Sequence, residues 1–221
     1  MNRRILLILP LLCLALCASA KQYADTAIYQ GMSIKLDIAM PIIEAARSAG
    51  KIQNYEAAFN VRLAKRFYPT LELGYALAER GADGGLHKGH GGFGRIGMDL
   101  AIVKKGETEN NMLVGLRFGG AYQGYDLLNV KQHTEYFPKL PTISFYDQQR
   151  FDCWGEIVAG CQVQVYKGFQ MGWYIRMKLL FTRNAQEGEV MPYEVMPYYI
   201  PGLGFRKDFN WGFNYYLAYK F

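Results

Sequence analysis

The closing stretch, WGFNYYLAYKF from Trp211 to Phe221, decides the fold. Side chains of an extended chain alternate between two sides, so Trp211, Phe213, Tyr215, Leu217, Tyr219 and Phe221 share one face while Gly212, Asn214, Tyr216, Ala218 and Lys220 share the other. The first face is aromatic or aliphatic throughout. Working back through the chain, the same alternation returns in seven more segments. Their apolar faces start at Met32, Ile34 and Leu36; at Tyr55, Ala57 and Phe59; and at Leu71, Leu73 and Tyr75 after a turn at Tyr68-Pro69-Thr70. The others are Gly94 to Ile102, Met112 to Tyr122, Ile157 to Val165 and Phe169 to Phe181. Eight such segments predict an all-β chain, an eight-stranded antiparallel up-and-down transmembrane β-barrel.

The connectors support that reading. Residues 41–54, 79–92, 124–152 and 182–210 are long, while the 68–70 turn, 104–111 and 166–168 are short. Long and short in strict alternation is the pattern of a barrel with short turns at one rim and longer loops at the other. An even count brings both chain ends to the same side, so Tyr199 to Phe205 is read as part of the last long loop and not as a ninth strand.

A soluble barrel shows the same period of two, and the composition of the faces separates the cases. On the apolar faces only Lys65 is charged, near a segment end where its stem can snorkel. The opposite faces carry Lys35, Asp37, Glu56, Arg62, Arg66, Glu72, Arg95, Asp99, Arg117, Glu156, Arg176, Lys178 and Lys220. Between these charges stand small residues, among them Gly74, Ala76, Gly97, Gly115, Gly119, Gly160, Gly172 and Ala218. Glycine weakens a solvent-facing strand, but a narrow lumen filled by long arginines needs it. Lys35, Asp37, Arg62, Glu72, Arg95, Asp99, Arg117, Glu156, Arg176 and Lys178 are therefore expected to form a lumen charge network. Aromatics gather near the segment ends: Phe67, Tyr68, Tyr166, Phe169, Tyr219 and Phe221 at one rim, and Tyr55, Phe93, Tyr122, Phe181 and Trp211 at the other. This suits two interfacial girdles.

Residues 1–20 are set apart from the fold. Arg3 and Arg4, the apolar run Ile5 to Cys17 and the small Ala18-Ser19-Ala20 read as an export signal. The run is short for a membrane helix. Lipid attachment at Cys17 is the other reading, with Leu16 where a small residue is wanted. Cleavage after Ala20 leaves 21–221 as one barrel domain and lowers the formal net charge from +6 to about +4, which gives no case for a nucleic-acid partner. Cys153 and Cys161 lie eight apart on one segment, too far to bridge.

These features resemble the small outer-membrane β-barrel proteins of Gram-negative bacteria, in the eight-stranded OmpA/OmpX-like class. The resemblance covers the whole of 21–221 and rests on the alternation and on the closing strand. It implies a monomer in the cell outer membrane, with outer-membrane lipid and lipopolysaccharide around it. It also implies that Tyr219 and Phe221 form the signal read by the barrel assembly machinery. No periplasmic domain of the peptidoglycan-binding kind is expected, and no cofactor or metal.

Catalytic motifs are weak. His87 and His90 fall in GADGGLHKGHGGFG, read as a glycine-rich loop, where two histidines three apart are a candidate metal or anion site. Some barrels of this size act on lipid A through a histidine with a serine or acid; His133, Glu135 and Ser144 share the third long loop, but no spacing places them within reach of each other. Apolar residues such as Leu127, Val130 and Phe145, and the repeat Val190-Met191-Pro192-Tyr193 and Val195-Met196-Pro197-Tyr198, crowd the long loops. They mark either a recognition surface or strands that continue past the membrane and pack over the mouth. The expected role is envelope integrity or surface interaction with a filled polar lumen, not a bulk channel. A lipid A-modifying enzyme of the acyltransferase or deacylase type and an adhesin-like binder are the alternatives.

Overall fold

A computed structural model of the chain describes residues 28–64, 66–82, 85–102, 110–130, 142–182, 199–205 and 207–221. Strands β1 (Tyr29–Asp37), β2 (Ile52–Leu63), β3 (Phe67–Ala82), β4 (Gly85–Ala101), β5 (Asn111–Val130), β6 (Ile143–Tyr166) and β7 (Phe169–Leu180) follow in order, with helix α1 (Ala39–Ser48) between β1 and β2. A small hairpin, β8 (Tyr199–Ile200) and β9 (Gly204–Phe205), precedes the last strand, β10 (Phe209–Lys220). Eight strands close into a ring in which each pairs antiparallel with its neighbours; the β8–β9 hairpin is a separate sheet. The seam is β1 against β10, with Ile34 opposite Tyr219 and Leu36 opposite Leu217. The Phe221 amide donates to the Met32 carbonyl at 2.9 Å below it.

The period of two survives in three dimensions. Ile34, Leu36, Leu71, Leu73, Ile96, Leu116, Phe118, Ile157, Ile175 and Phe213 are exposed on the outside, while Lys35, Glu72, Arg95, Arg117, Glu156 and Arg176 are buried inside. Two aromatic rows run along parts of the outer surface. Tyr55 pairs with Tyr75, Tyr75 with Gly92, Gly92 with Tyr122 and Tyr122 with Phe151, one hydrogen-bonded row across β2 to β6. At the other rim Tyr166 pairs with Phe169 and Phe169 with Tyr219.

Several local expectations are corrected. Phe93 and Tyr68 do not join the girdles; both are buried inside the ring. Phe93 fills room that glycine leaves, since a Cβ on Gly74 would stand 2.5 Å from its Cε1. The β2–β3 turn is not at Pro69. It lies at Ala64, whose φ of 47° is left-handed, and Pro69 sits early in β3 opposite Met98, a position where a strand tolerates proline. Residues 79–92 are not simply a loop: Arg80 pairs with His87 and Ala82 with Gly85, so β3 runs on to Ala82 and β4 starts at Gly85. Within 124–152, β5 and β6 likewise continue, with Leu127 and Val130 buried. In 41–54 the chain forms α1, whose first amides, of Ala39 and Met40, donate to Asp37 Oδ1 at 3.0 and 3.3 Å. Left-handed Ala49 ends it, and the Gly50 amide returns to the Ala45 carbonyl. Cys153 and Cys161 are free on β6.

The inward glycines are sized to their neighbours. A Cβ on Gly119 would stand 2.6 Å from Trp154 Cζ2, and Trp154 is fully buried and held by its indole donating to Glu156 Oε1 at 2.7 Å. Gly119→Val is expected to cost about 1–3 kcal/mol through overpacking, read as a lower urea midpoint for the refolded chain. An unchanged midpoint would mean that the interior has slack.

Candidate functional site

Three arginines and four carboxylates from six consecutive strands meet at the barrel centre. Glu72 is the hub: its carboxylate accepts from Arg95 at 2.9 Å, Arg117 at 3.0 Å and Arg176 at 2.8 Å. Around it Arg117 pairs with Asp99 at 2.7 Å, Arg176 with Glu56 at 3.1 Å and Glu156 at 3.0 Å, and Arg95 with Glu56 at 2.8 Å and Glu156 at 2.9 Å. The strands place these groups because each lies on the inward half of the alternation, and small residues opposite give the long side chains room. A Cβ on Gly97 would stand 2.7 Å from Arg117 Cδ.

The lattice lies between a polar belt and a hairpin plug. Below it Lys35 Nζ donates to the Tyr174 hydroxyl at 2.9 Å, and that hydroxyl donates to Asp99 Oδ2 at 2.9 Å. Lys35 also stands 4.6 Å from the Tyr216 ring centre, a cation–π contact. Lower still, Gln162 bonds Gln170 and Ser33 bonds Asn60. Above the lattice the β8–β9 hairpin folds into the mouth. Ile200 and Leu203 pack with Phe93, Ala121 and Trp154. Arg95 Nη2 and Lys178 Nζ donate to the Gly202 carbonyl at 2.8 and 2.6 Å. Gly202 has φ of 76°, and a Cβ there would stand 2.6 Å from Phe93 Cδ2, so both conformation and space require glycine.

Of the ten residues expected in a lumen network, Glu72, Arg95, Asp99, Arg117, Glu156 and Arg176 join the lattice, and Lys35 reaches it through Tyr174. Lys178 holds the hairpin. Asp37 caps α1 and accepts from Asn214, which bridges it to Arg176. Arg62 lies apart, 5.8 Å from the Tyr68 ring centre. The expectation left out Glu56, Tyr174, Asn214 and Trp154 as lattice partners, although all four stand on inward positions of the same alternation. It also left out the hairpin, whose signal is Pro201-Gly202 between apolar pairs.

His87 and His90 lie on β4, not in a loop. Three apart on a strand, they face opposite ways: His87 is buried and stacked on Tyr125 at 5.7 Å, and His90 is exposed. They cannot grip one ion. Among the described residues no group of three or more His, Cys, Asp or Glu could hold a metal. His133 and Glu135, and the Val190 to Tyr198 repeat, lie outside the described residues; Ser144 Oγ accepts from the Asn129 amide at 3.0 Å on the tall β5–β6 hairpin.

The geometry defines a class: a small antiparallel β-barrel whose interior is an ion lattice and whose one mouth is stopped by a hairpin of its own chain. The chain belongs to the family described as Domain of unknown function (DUF6048), matched over residues 2–221. No curated protein and no solved structure matches it.

Removing one member of such a buried network strands the others. Glu72→Gln leaves three guanidinium groups short of one carboxylate and is expected to cost about 3–5 kcal/mol, seen as a fall in the unfolding midpoint in detergent; a loss under about 1 kcal/mol would contradict the hub role. At the mouth the Tyr199 hydroxyl donates to Glu44 at 3.2 Å, and burial pushes the Glu44 carboxyl up to about 6. Its folded value exceeds its unfolded one, so the folded state binds the extra proton and gains stability as pH falls from about 6 toward 4.5, through relief of the burial penalty and not through the Tyr199 bond, which favours the ionised form. Proteolytic clipping near α1 should therefore slow between pH 7 and 5, and Glu44→Gln should flatten that dependence.

Proposed function

We propose that the chain is a monomeric outer-membrane β-barrel of the OmpX-like kind, exported by its 1–20 segment, with a sealed polar lumen and a role in envelope integrity or surface interaction. The observation that carries the reading is the division of the barrel wall: hydrocarbon side chains outside, a paired ion lattice within. In water so continuous an apolar belt would be an association surface; against lipid tails it is the favoured contact. The aromatic rows support it. Trp211 and Tyr219 on β10 are eight residues apart, about 27 Å along the strand, or roughly 20 Å after a barrel tilt near 40°, comparable to the ~25 Å apolar band of such barrels. Tyr219 and Phe221 are exposed at the foot of the last strand, available to the barrel assembly machinery.

The packing supports a closed lumen. Two cavities beneath the mouth are about 20 Å³, beside Lys35 and Glu72, and about 10 Å³, beside Arg62 and Gln170. A water needs about 10–15 Å³, so each of these spaces has room for about one water. Surface interaction is favoured by β5 and β6, of 20 and 24 residues, where about 9–11 suffice to span. Their upper halves stand clear, with Tyr146 and Ile143 exposed.

The test has two parts. The membrane-extracted chain should migrate faster on gels before boiling than after, and should sediment with outer membranes; recovery in the soluble periplasmic fraction would refute the reading. In planar bilayers it should give no stable conductance, and steady channel openings by the wild-type chain would refute a sealed lumen.

A further inference from the structure

Between α1, the tops of β2 and β3, and the β8–β9 hairpin lies a crevice of about 560 Å³ at the stopped mouth. That volume is in the range of small-molecule sites. Its wall is electrostatically unbalanced. Arg47, Lys51 and Arg80 line it, and none has a carboxylate within ion-pair distance among the described residues. Of the two acids on the wall, Glu79 is turned to Lys88 at 3.6 Å, and Glu44 is engaged by the Tyr199 hydroxyl and eased toward its neutral form by burial. The floor holds a polar group in want of a partner: Asn54 is 6% exposed, and its Oδ1 makes no hydrogen bond. Arg80 is pre-oriented by stacking over the Phe205 ring at 4.2 Å, and Trp211 adds a flat apolar wall.

We propose that this crevice binds a phosphorylated sugar, its phosphate held by Arg47, Lys51 and Arg80 and its hydroxyls turned to Asn54. Guanidinium groups match the phosphate fork, an amide both donates to and accepts from hydroxyls, and the volume accommodates one or two sugar rings. The same chemistry occurs free in solution and in the headgroup of a lipid such as lipid A. The site itself needs only the barrel and its hairpin; the membrane reading bears only on which source supplies the ligand.

The test uses the full chain refolded in zwitterionic detergent and titrated calorimetrically with glucose 1-phosphate, with glucose as the neutral control. In parallel, the chain is refolded in vesicles of phosphatidylcholine with lipid A, extracted, and the lipid A that co-elutes is measured by mass spectrometry. The comparison is with Arg47→Gln/Lys51→Gln/Arg80→Gln, three exposed changes whose retention of the fold is checked by heat-modifiable migration. Saturable binding of glucose 1-phosphate, not of glucose, weakened at least about tenfold in the variant, supports a free ligand. Near-stoichiometric lipid A retained by the wild type and lost by the variant, without binding of the free sugar, supports the headgroup. Binding in neither arm, or binding that the variant keeps, overturns the proposal. A chain that binds glucose 1-phosphate yet fractionates as soluble would keep the site and remove the membrane reading.

Discussion

Everything in this barrel depends on Glu72 having three arginines to answer it. An ion moved from water into a sealed protein interior loses several kcal/mol of solvation, and the only recovery available at the barrel centre is from opposite charges and hydrogen bonds brought there by other strands. Glu72 lies on β3 and its three partners on β4, β5 and β7, so no pair of neighbouring strands can satisfy it. The sheet has to curl until far strands face one another. Curling then fixes the rest: a small diameter, glycine and alanine at the crowded positions, and an outer wall left to the apolar half of each strand.

The outer half of that arrangement was plain in the sequence because it depends on period two alone. A strand with Leu71, Leu73 and Tyr75 on one side and Glu72 and Gly74 on the other admits one register against a sorted environment. Partner choice inside was less legible. Nothing local tells Arg62 from Arg117; one ends beside Tyr68 and the other in the lattice because the stagger of the strands sets different heights. Phe93 and Tyr68 misled for a related reason. Aromatic content near a strand end suggests an interface, but parity with Arg95 and Thr70 puts both rings indoors.

Loops and strands were confused where strands outlast the wall. Gly85 to Gly92 contains enough glycine to look irregular, yet its backbone keeps the ladder to Tyr122 and beyond. Ladder hydrogen bonds need no particular side chain, and glycine weakens a strand without ending it. The hairpin at Pro201-Gly202 was hidden differently. Its fixing contacts are main-chain carbonyls meeting Arg95 and Lys178, and a carbonyl acceptor leaves no trace in residue type.

All seven lattice charges come from β2 to β7, and the seam strands β1 and β10 add only a lysine relayed through Tyr174 and an asparagine. The seam is also the shortest ladder in the ring. Most of the interior ion pairing can thus form within β2 to β7, while the four carboxylates exceed the three arginines by one negative charge that Lys35 of β1 helps to offset. A curled six-stranded arrangement would already match most of its costliest groups, and open edges would persist only where β1 and β10 have yet to join.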